Sequence, residues 1–389
     1  MRFTRRSLLA VAVMAFAFAC TTRATAADSP TSGKYWVYFG TYTDKDGSKG
    51  IYRSELDSKT GKLSAPELAA EVTSPSFVHI AANGKTLYAV GEAGGKEGGG
   101  VYSFTLDAAT GKLVKQSEST SGGSGPCHIN TDGKGQFAIV ANYGGGSTAS
   151  YKLKEDGSIV SRVSHKQFPA VEKEGKKWDA RGHCGSFDAT GTLAFVCDAG
   201  TDRVHMFKVN QETAAFEANE PAFITMPKNS APRHIHIAPS NDVAFVNGEA
   251  DMTVNVLKLD VKANKFEVVQ SLSTLPEGEK VSKGHSTAEV RIHPSGKFVY
   301  VSNRGHNTIA AFAFDKETSK LTPAGHIRGD IKTPRNFNIS PDGKWMLIAS
   351  QDGGKVGVYA IDEKTGLAKE TEQVVKISKC VCVKFLAQP

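Results

Sequence analysis

Pro75-Ser-Phe-Val-His-Ile-Ala-Ala-Asn-Gly84-Lys-Thr-Leu-Tyr-Ala-Val90 reads as an alternating run, a Gly turn and an almost continuous apolar run. Short runs of apolar, β-branched and aromatic residues divided by Gly, Asn and Asp are strand and hairpin signals. The same grammar returns at Pro126 to Gly135, Gly182 to Gly191, Pro232 to Asp242, Thr287 to Gly296 and Pro334 to Gly343. The turn positions 84, 135, 191, 242, 296 and 343 are 51, 56, 51, 54 and 47 residues apart. A period near fifty residues with four short strands per unit predicts a β-propeller, since one such sheet cannot bury its faces alone and must stack on its neighbours.

Within a unit the order is inner strand, turn, second strand, polar turn, third strand ending near an Asp, then a loop often written Thr-Gly-x-Leu. Phe298-Val-Tyr-Val301 followed by Ile309-Ala-Ala-Phe-Ala-Phe314-Asp315 shows it most clearly, and Asp107-Ala-Ala-Thr-Gly-Lys-Leu113 and Asp362-Glu-Lys-Thr-Gly-Leu367 are connecting turns. Glycine, 39 of 389 residues, favours many tight turns over long helices. Two partial units remain. Tyr35 to Gly40, Gly50 to Leu56 and Lys62 to Ala65 are three strands without an inner one, and Cys380-Val-Cys-Val-Lys-Phe-Leu386 is an inner strand without a blade. Joined, they make a seventh blade closed by the C-terminal strand. The expectation is an all-β, seven-bladed β-propeller forming one domain over residues 27–389. An open β-solenoid would not leave complementary fragments at opposite ends.

The composition, 40% hydrophobic and 22% charged, is ordinary for a globular chain and excludes disordered, collagen-like and multi-pass membrane classes. Residues 1–26 read as an export signal: Met1 to Arg6 is basic, Leu8 to Ala19 apolar, and Ala24-Thr25-Ala26 offers small residues for cleavage. That apolar run is too short for a stable membrane span. Thr4-Arg5-Arg6-Ser7-Leu8-Leu9 resembles a twin-arginine signal, while Ala17-Phe18-Ala19 before Cys20 is a poor lipidation box. A periplasmic or secreted protein, expected as a monomer, follows. The formal charge of +7 falls to +3 without Arg2, Arg5, Arg6 and Arg23, so no nucleic-acid partner is indicated. Five cysteines remain, Cys127, Cys184, Cys197, Cys380 and Cys382; one disulfide is plausible in an oxidising compartment, but small buried core residues are the leading reading.

In a propeller the inner strands line a central channel, so polar residues at matched places converge from different blades. Seven or eight residues before the turns stand His128, His183, His234, Glu289 and Arg335, with Arg233 one step earlier in its strand. His234 and His236 share a strand face, but without third ligands no metal and no cofactor are expected. Gly144-Gly-Gly146 and Gly98-Gly-Gly100 open no helix and lack a phosphate-cradling Lys, and Ser186 lies in no nucleophile elbow.

Ala288-Glu-Val-Arg-Ile-His-Pro-Ser-Gly-Lys-Phe-Val-Tyr-Val-Ser-Asn-Arg-Gly-His306, with Ala141-Asn-Tyr-Gly-Gly-Gly-Ser147 and Asp198-Ala-Gly-Thr-Asp-Arg-Val204, resembles the seven-bladed lactonase family over roughly residues 35 to 386. That family includes propeller-type 6-phosphogluconolactonases and carboxymuconate cyclases. The resemblance implies a site at the channel mouth in which the family's His falls on His183, its Pro-Arg-His arginine on Arg233, its Glu on Glu249 and its Asn-Arg-Gly arginine on Arg304. Two positions depart from the pattern: Gly248 replaces the usual Asn before the Glu, and Arg181 replaces the first His of a His-x-His.

These residue types suit lactone opening. A water must be made nucleophilic by a base, and donors must meet a developing oxyanion. His183 and Glu249 are the candidate base and orienter. Arg233 and Arg304, with His128, His234, Glu289 and Arg335, are candidate binding groups for a small anionic lactone or sugar acid, because a guanidinium fork matches an oxyanion. The structural alternative is that Glu249 and Arg233 form an ion pair stapling adjacent blades. The alternative functions are a non-catalytic periplasmic binding propeller and a lactonising isomerase of the muconate cyclase kind. The exported protein is expected to begin near Ala27 or Asp28; N-terminal sequencing checks this, and an acylated Cys20 at the terminus would overturn it.

Overall fold

Each repeat folds as a four-stranded antiparallel sheet laid down in chain order, because its period-two runs are too short for helices and are joined by turns too tight for crossovers. A computed structural model describes residues 33–92 and 98–389; the export signal, its twin-arginine motif and Cys20 lie outside the described residues. There are seven such sheets among the described residues, and no helix. Blade 1 takes its inner strand, Cys380–Ala387, from the far end of the chain. That strand pairs with Lys34–Thr41 from Tyr35↔Ala387 to Gly40↔Cys382. The inner strands of blades 2 to 7 are Val78–Ile80, Pro126–Thr131, Gly182–Phe187, Pro232–Ile237, Ser286–Ile292 and Pro334–Ile339. Each packs on the next, and Cys380–Ala387 sits between the last and the first of them.

Three details differ from the sequence reading. The third strand of blade 1 is Glu67–Glu71, and Leu63 makes only an isolated bridge to Leu56, so Lys62 to Ala65 is not a strand. The turn in blade 5 is centred on Asn241, not Asp242: Asn241 has φ 61°, matching Gly84, Gly135, Gly191, Gly296 and Gly343 at 67° to 77°. A side-chain amide makes Asn the non-glycine residue best suited to that left-handed region, so a search for Gly misplaces this turn by one. The long spacing between Gly135 and Gly191 contains a hairpin, Val171–Lys173 with Lys176–Trp178, added outside the blade pattern.

The core lies between blades. Tyr35, Val37, Phe39 and Val383 of blade 1 pack on Leu347, Ala349, Val356 and Val358 of blade 7, sealing the ring where the chain ends meet. Fully burying one such large side chain is worth about 1.5–3 kcal/mol. Tyrosine hydroxyls and a tryptophan N–H tie blades 1, 2, 6 and 7 each to a loop of the next. Tyr38 Oη donates to Gly111 O at 2.8 Å, Tyr88 to Gly157 O at 2.7 Å and Tyr300 to Gly366 O at 2.7 Å, while Trp345 Nε1 donates to Ser58 O at 2.9 Å across the seam. The Thr-Gly loops thus serve as interblade acceptors. All five described cysteines are free and buried.

Deleting Cys380 to Pro389 removes the inner strand of blade 1 and leaves Lys34–Thr41 as an open apolar edge. The truncated protein is expected to unfold or aggregate, read by circular dichroism melting and size-exclusion chromatography; an unchanged melting temperature would refute closure of the ring.

Candidate active site

The pairing of inner to second strand shifts register in six blades: at Pro126/His128, Gly182/Cys184, Pro232/Ile235, Thr287/Val290 and Pro334/Asn336, and opposite Gly40/Thr41 between Cys380 and Cys382 of the closing strand. Such a bulge leaves a residue outside the ladder, and here it lets two successive side chains face the channel. Arg233 and His234 both line the upper cavity, as do Arg335 and Asn336. The channel is consequently layered. Eight residues before five of the six turns come Ser76, Cys127, His183, Arg233 and Arg335, around a small upper cavity. Seven before come Phe77, His128, His234, Glu289 and Asn336, and five before come residues of a second cavity beneath.

The count of seven or eight residues had merged two layers. His183, Arg233 and Arg335 share the upper mouth. His128 and Glu289 face the lower cavity instead, and His234 borders both. Phe77 and His128, with ring centroids 4.1 Å apart, and His234, 5.4 Å from His128, fill the channel between the two.

A second ring surrounds the mouth, one residue past the end of each second strand. Its backbone N–H groups are held by carbonyls at the start of the inner strands: Tyr42 N to Lys379 O, Glu92 N to Ser74 O, Tyr143 N to Gly125 O, Ala199 N to Arg181 O, Glu249 N to Ala231 O and Gln351 N to Thr333 O, all 2.9–3.1 Å. Arg304 occupies this place in blade 6, where Asn303 pairs with Thr308 as Gly248 pairs with Thr253. Tyr42 and Glu92 line the cavity and were missed from sequence. The signal was available: Gly91-Glu92 matches Gly248-Glu249 in register. Tyr42 Oη donates to Glu92 Oε1 at 3.2 Å, and the Arg335 guanidinium lies 5.5 Å from the Tyr42 ring centre.

Glu249 does not orient His183. Its carboxylate pairs with Arg304 Nη2 and stands 3.8 Å from Arg233 Nε, while Arg304 Nη2 also donates to Thr287 O at 2.9 Å. This joins blades 5 and 6 through Arg304; Glu249 and Arg233 both belong to blade 5, so the expected Glu249–Arg233 pair lies within one blade and does not itself staple two. Burial pushes the Glu249 carboxyl up, but Arg233 and Arg304 outweigh it and hold it below the usual range. Arg233 is 2% exposed, donates to Ala288 O, and has an Nε without a hydrogen-bond partner among the described residues; burial, then Arg335 and Arg304, bring it down to about 10. Crowded guanidinium groups in low dielectric favour an incoming anion.

Burial, followed by Arg233, His234 and Arg335, drives His183 well below the ordinary histidine range, so its imidazole is neutral at neutral pH. Its Nδ1 has no hydrogen-bond partner among the described residues. His183 is therefore a neutral but weaker base than a free imidazole. His234 is neutral too, lowered to about 4 by burial against the opposing pull of Glu289. Arg233 can only donate, so His234 Nε2 accepts from Nη1 at 3.2 Å, and Nδ1–H donates to Glu289 Oε1 at 3.0 Å. Among the described residues no cluster of His, Cys, Asp and Glu is arranged to hold a metal ion. The upper mouth thus combines three cations, two carboxylates and one uncommitted neutral imidazole, a set suited to binding an acid and moving one proton.

The sequence profile of the family described as "Lactonase, 7-bladed beta-propeller" matches residues 36–385. The 6-phosphogluconolactonase of Bacillus subtilis is 30% identical over 355 residues, covering 91% of this chain and 99% of that one. A 6-phosphogluconolactonase of Formosa agariphila is 28% identical over 350 residues, 88% of this chain and 97% of that one. The solved periplasmic gluconolactonase of Pseudomonas aeruginosa superposes with a TM-score of 0.85 at 26% identity, covering 92% of this chain and all of that one.

Five channel histidines, His79, His128, His183, His234 and His236, are held below their ordinary range by burial. Above about pH 6.5 both folded and unfolded chains leave them neutral; below it the unfolded chain takes up protons the folded one refuses, costing about 1.4 kcal/mol per pH unit per proton. The melting temperature is expected to fall by several degrees between pH 7 and pH 5, before carboxylates titrate. A melting temperature flat over that interval in calorimetry would contradict buried neutral histidines.

Proposed function

Because this chain belongs to the seven-bladed β-propeller lactonase family, we propose that it opens a sugar-acid lactone by water attack at the upper mouth of the channel. The observation that carries this reading is the convergence of the neutral, uncommitted His183 with Arg233 and Arg335 on one cavity. A water beside His183 gives its proton to the imidazole as its oxygen bonds to the lactone carbonyl carbon. The carbonyl electron pair moves onto its oxygen, and guanidinium N–H groups meet that charge. Collapse breaks the bond to the ring oxygen, which takes the proton back from His183. The product is a hydroxy acid that loses its carboxyl proton to solvent, and its carboxylate pairs with arginine.

In this reading Arg335 and Arg233 contact the acid. Glu249 and Arg304 act through Arg233: the carboxylate offsets two buried cations and fixes Arg233 against the mouth. Export through residues 1–26 is part of the proposal, supported by the leader's charge and apolar pattern and by the likeness to a periplasmic gluconolactonase. An exported enzyme meets little phosphorylated sugar, which favours unphosphorylated aldonolactones over 6-phosphogluconolactone as the working substrate.

Turnover of gluconolactone, 6-phosphogluconolactone and muconolactones is the direct test. His183→Ala is expected to lower kcat about a hundredfold or more with KM little changed, the usual worth of a general base. Arg335→Ala should instead raise KM, by roughly tenfold to a hundredfold, for loss of one charged hydrogen bond. With the base already neutral, the acid limb of kcat/KM should lie below the ordinary histidine value of about 6.5. Variants that turn over lactones at the parental rate would move the centre elsewhere, and a parent that opens no lactone but binds sugar acids would make this a binding propeller.

A further inference from the structure

Beneath Phe77, His128 and His234 the channel reopens into a cavity of about 150 Å³ that the chemistry above does not use. Its walls carry the residues five before each turn, among them His79, Asn130, Ser186, His236 and Arg291. Lys384 of the closing strand joins them in register: it pairs with Tyr38 as His79 pairs with Tyr88, His236 with Phe245 and Arg291 with Tyr300. One layer of the propeller therefore gathers two cations and a set of neutral donors from different blades.

The charges in this cavity do not balance. Among the described residues Glu289 is the only carboxylate lining it, and that group is already engaged. It accepts from His234 Nδ1 at 3.0 Å, Val290 N at 3.1 Å, Arg291 Nη2 at 3.3 Å and Asn336 Nδ2. Lys384 makes no hydrogen bond or ion pair with its ammonium among the described residues; Nζ rests 4.6 Å from the centre of the Phe77 ring. Arg291 Nε is buried without a partner among the described residues. Burial, then Arg291, lowers the Lys384 ammonium to about 8, so each cation makes the other costlier.

Neutral donors complete the pocket. His236 Nδ1 accepts the Ile292 N–H at 3.1 Å, which leaves the imidazole proton on Nε2. Asn130 Nδ2 donates to Ser186 Oγ at 3.3 Å.

We propose that the lower mouth is a second ligand site, in which a small oxyanion, carboxylate or phosphate, docks between the Lys384 ammonium and the Arg291 guanidinium. The oxyanion supplies the negative charge that the lining lacks, and the His236 and Asn130 side chains border the same space. This site lies on the far side of the Phe77, His128 and His234 layer from Arg335, so the two mouths take up anions independently of each other and of whether the upper one opens lactones.

Reductive methylation with 13C-formaldehyde gives each lysine its own NMR signal and keeps its charge; the Lys384 signal is the one absent from Lys384→Arg. Inorganic phosphate is expected to shift that signal saturably, in the parent and in Arg335→Ala alike, and sodium acetate to shift it more weakly. Arg291→Gln should weaken the phosphate response about tenfold, the worth of one charged hydrogen bond. By calorimetry in the Arg335→Ala background, Lys384→Met should lose phosphate binding and Lys384→Arg retain it. If Lys384→Met fails to fold, the Arg291→Gln titration decides. A Lys384 signal unmoved by phosphate, or moved in the parent but not in Arg335→Ala, would overturn the lower site.

Discussion

The pairing of Cys380–Ala387 with Lys34–Thr41 is the constraint on which the rest depends. Without it there is a row of six complete blades and one fragment, with an open edge at each end. With it, the first and last blades bury Tyr35, Val37 and Phe39 against Leu347 and Val356, and the inner strands enclose a channel. The closing strand is more than a fastener, since Val381 borders the upper cavity and Lys384 the lower. Fold closure and channel chemistry share one strand.

The inner-strand bulges are the second device. A regular strand would send alternate side chains into the channel and the rest into the interblade core. The register shifts at Pro232/Ile235 and Pro334/Asn336 bring Arg233 with His234, and Arg335 with Asn336, to the channel together. This is how one narrow channel holds so many polar groups. Their cost is met by mutual satisfaction: Asn247 Oδ1 accepts the His234 N–H at 3.0 Å, Ser302 Oγ the Glu289 N–H at 2.9 Å, and Asn336 Oδ1 the Val383 N–H at 2.9 Å. His183 Nδ1 and Arg233 Nε are left without hydrogen-bond partners among the described residues.

Burial decides the electrostatics. In water the channel histidines would be half-charged near pH 6.5; among crowded guanidinium groups and apolar walls they stay neutral, while Glu249 and Glu289 stay ionised because cations face them. The upper mouth is therefore cationic overall despite its carboxylates, which suits a site whose product is an acid.

Sequence alone determined the repeat, its period, the number of blades and the joining of the chain ends, because those follow from local strand and turn preferences counted along the chain. It also marked His183, Arg233, Glu249, Arg304 and Arg335 as residues near one channel end. Tertiary structure decided which of them meet. Counting along the strand cannot register a bulge, so His128 and Glu289 were grouped with His183 although they belong to the layer below. Glu92 was legible from the match of Gly91-Glu92 with Gly248-Glu249, whereas Tyr42 reaches the mouth from a second-strand end whose place shows only once the blades are aligned through their hydrogen bonds. The pairing of Glu249 with Arg304 instead of His183 depends on how blade 5 abuts blade 6. Local sequence specifies each blade, whereas contacts between blades depend on the angle and stagger at which the sheets pack, and those are properties of the closed ring.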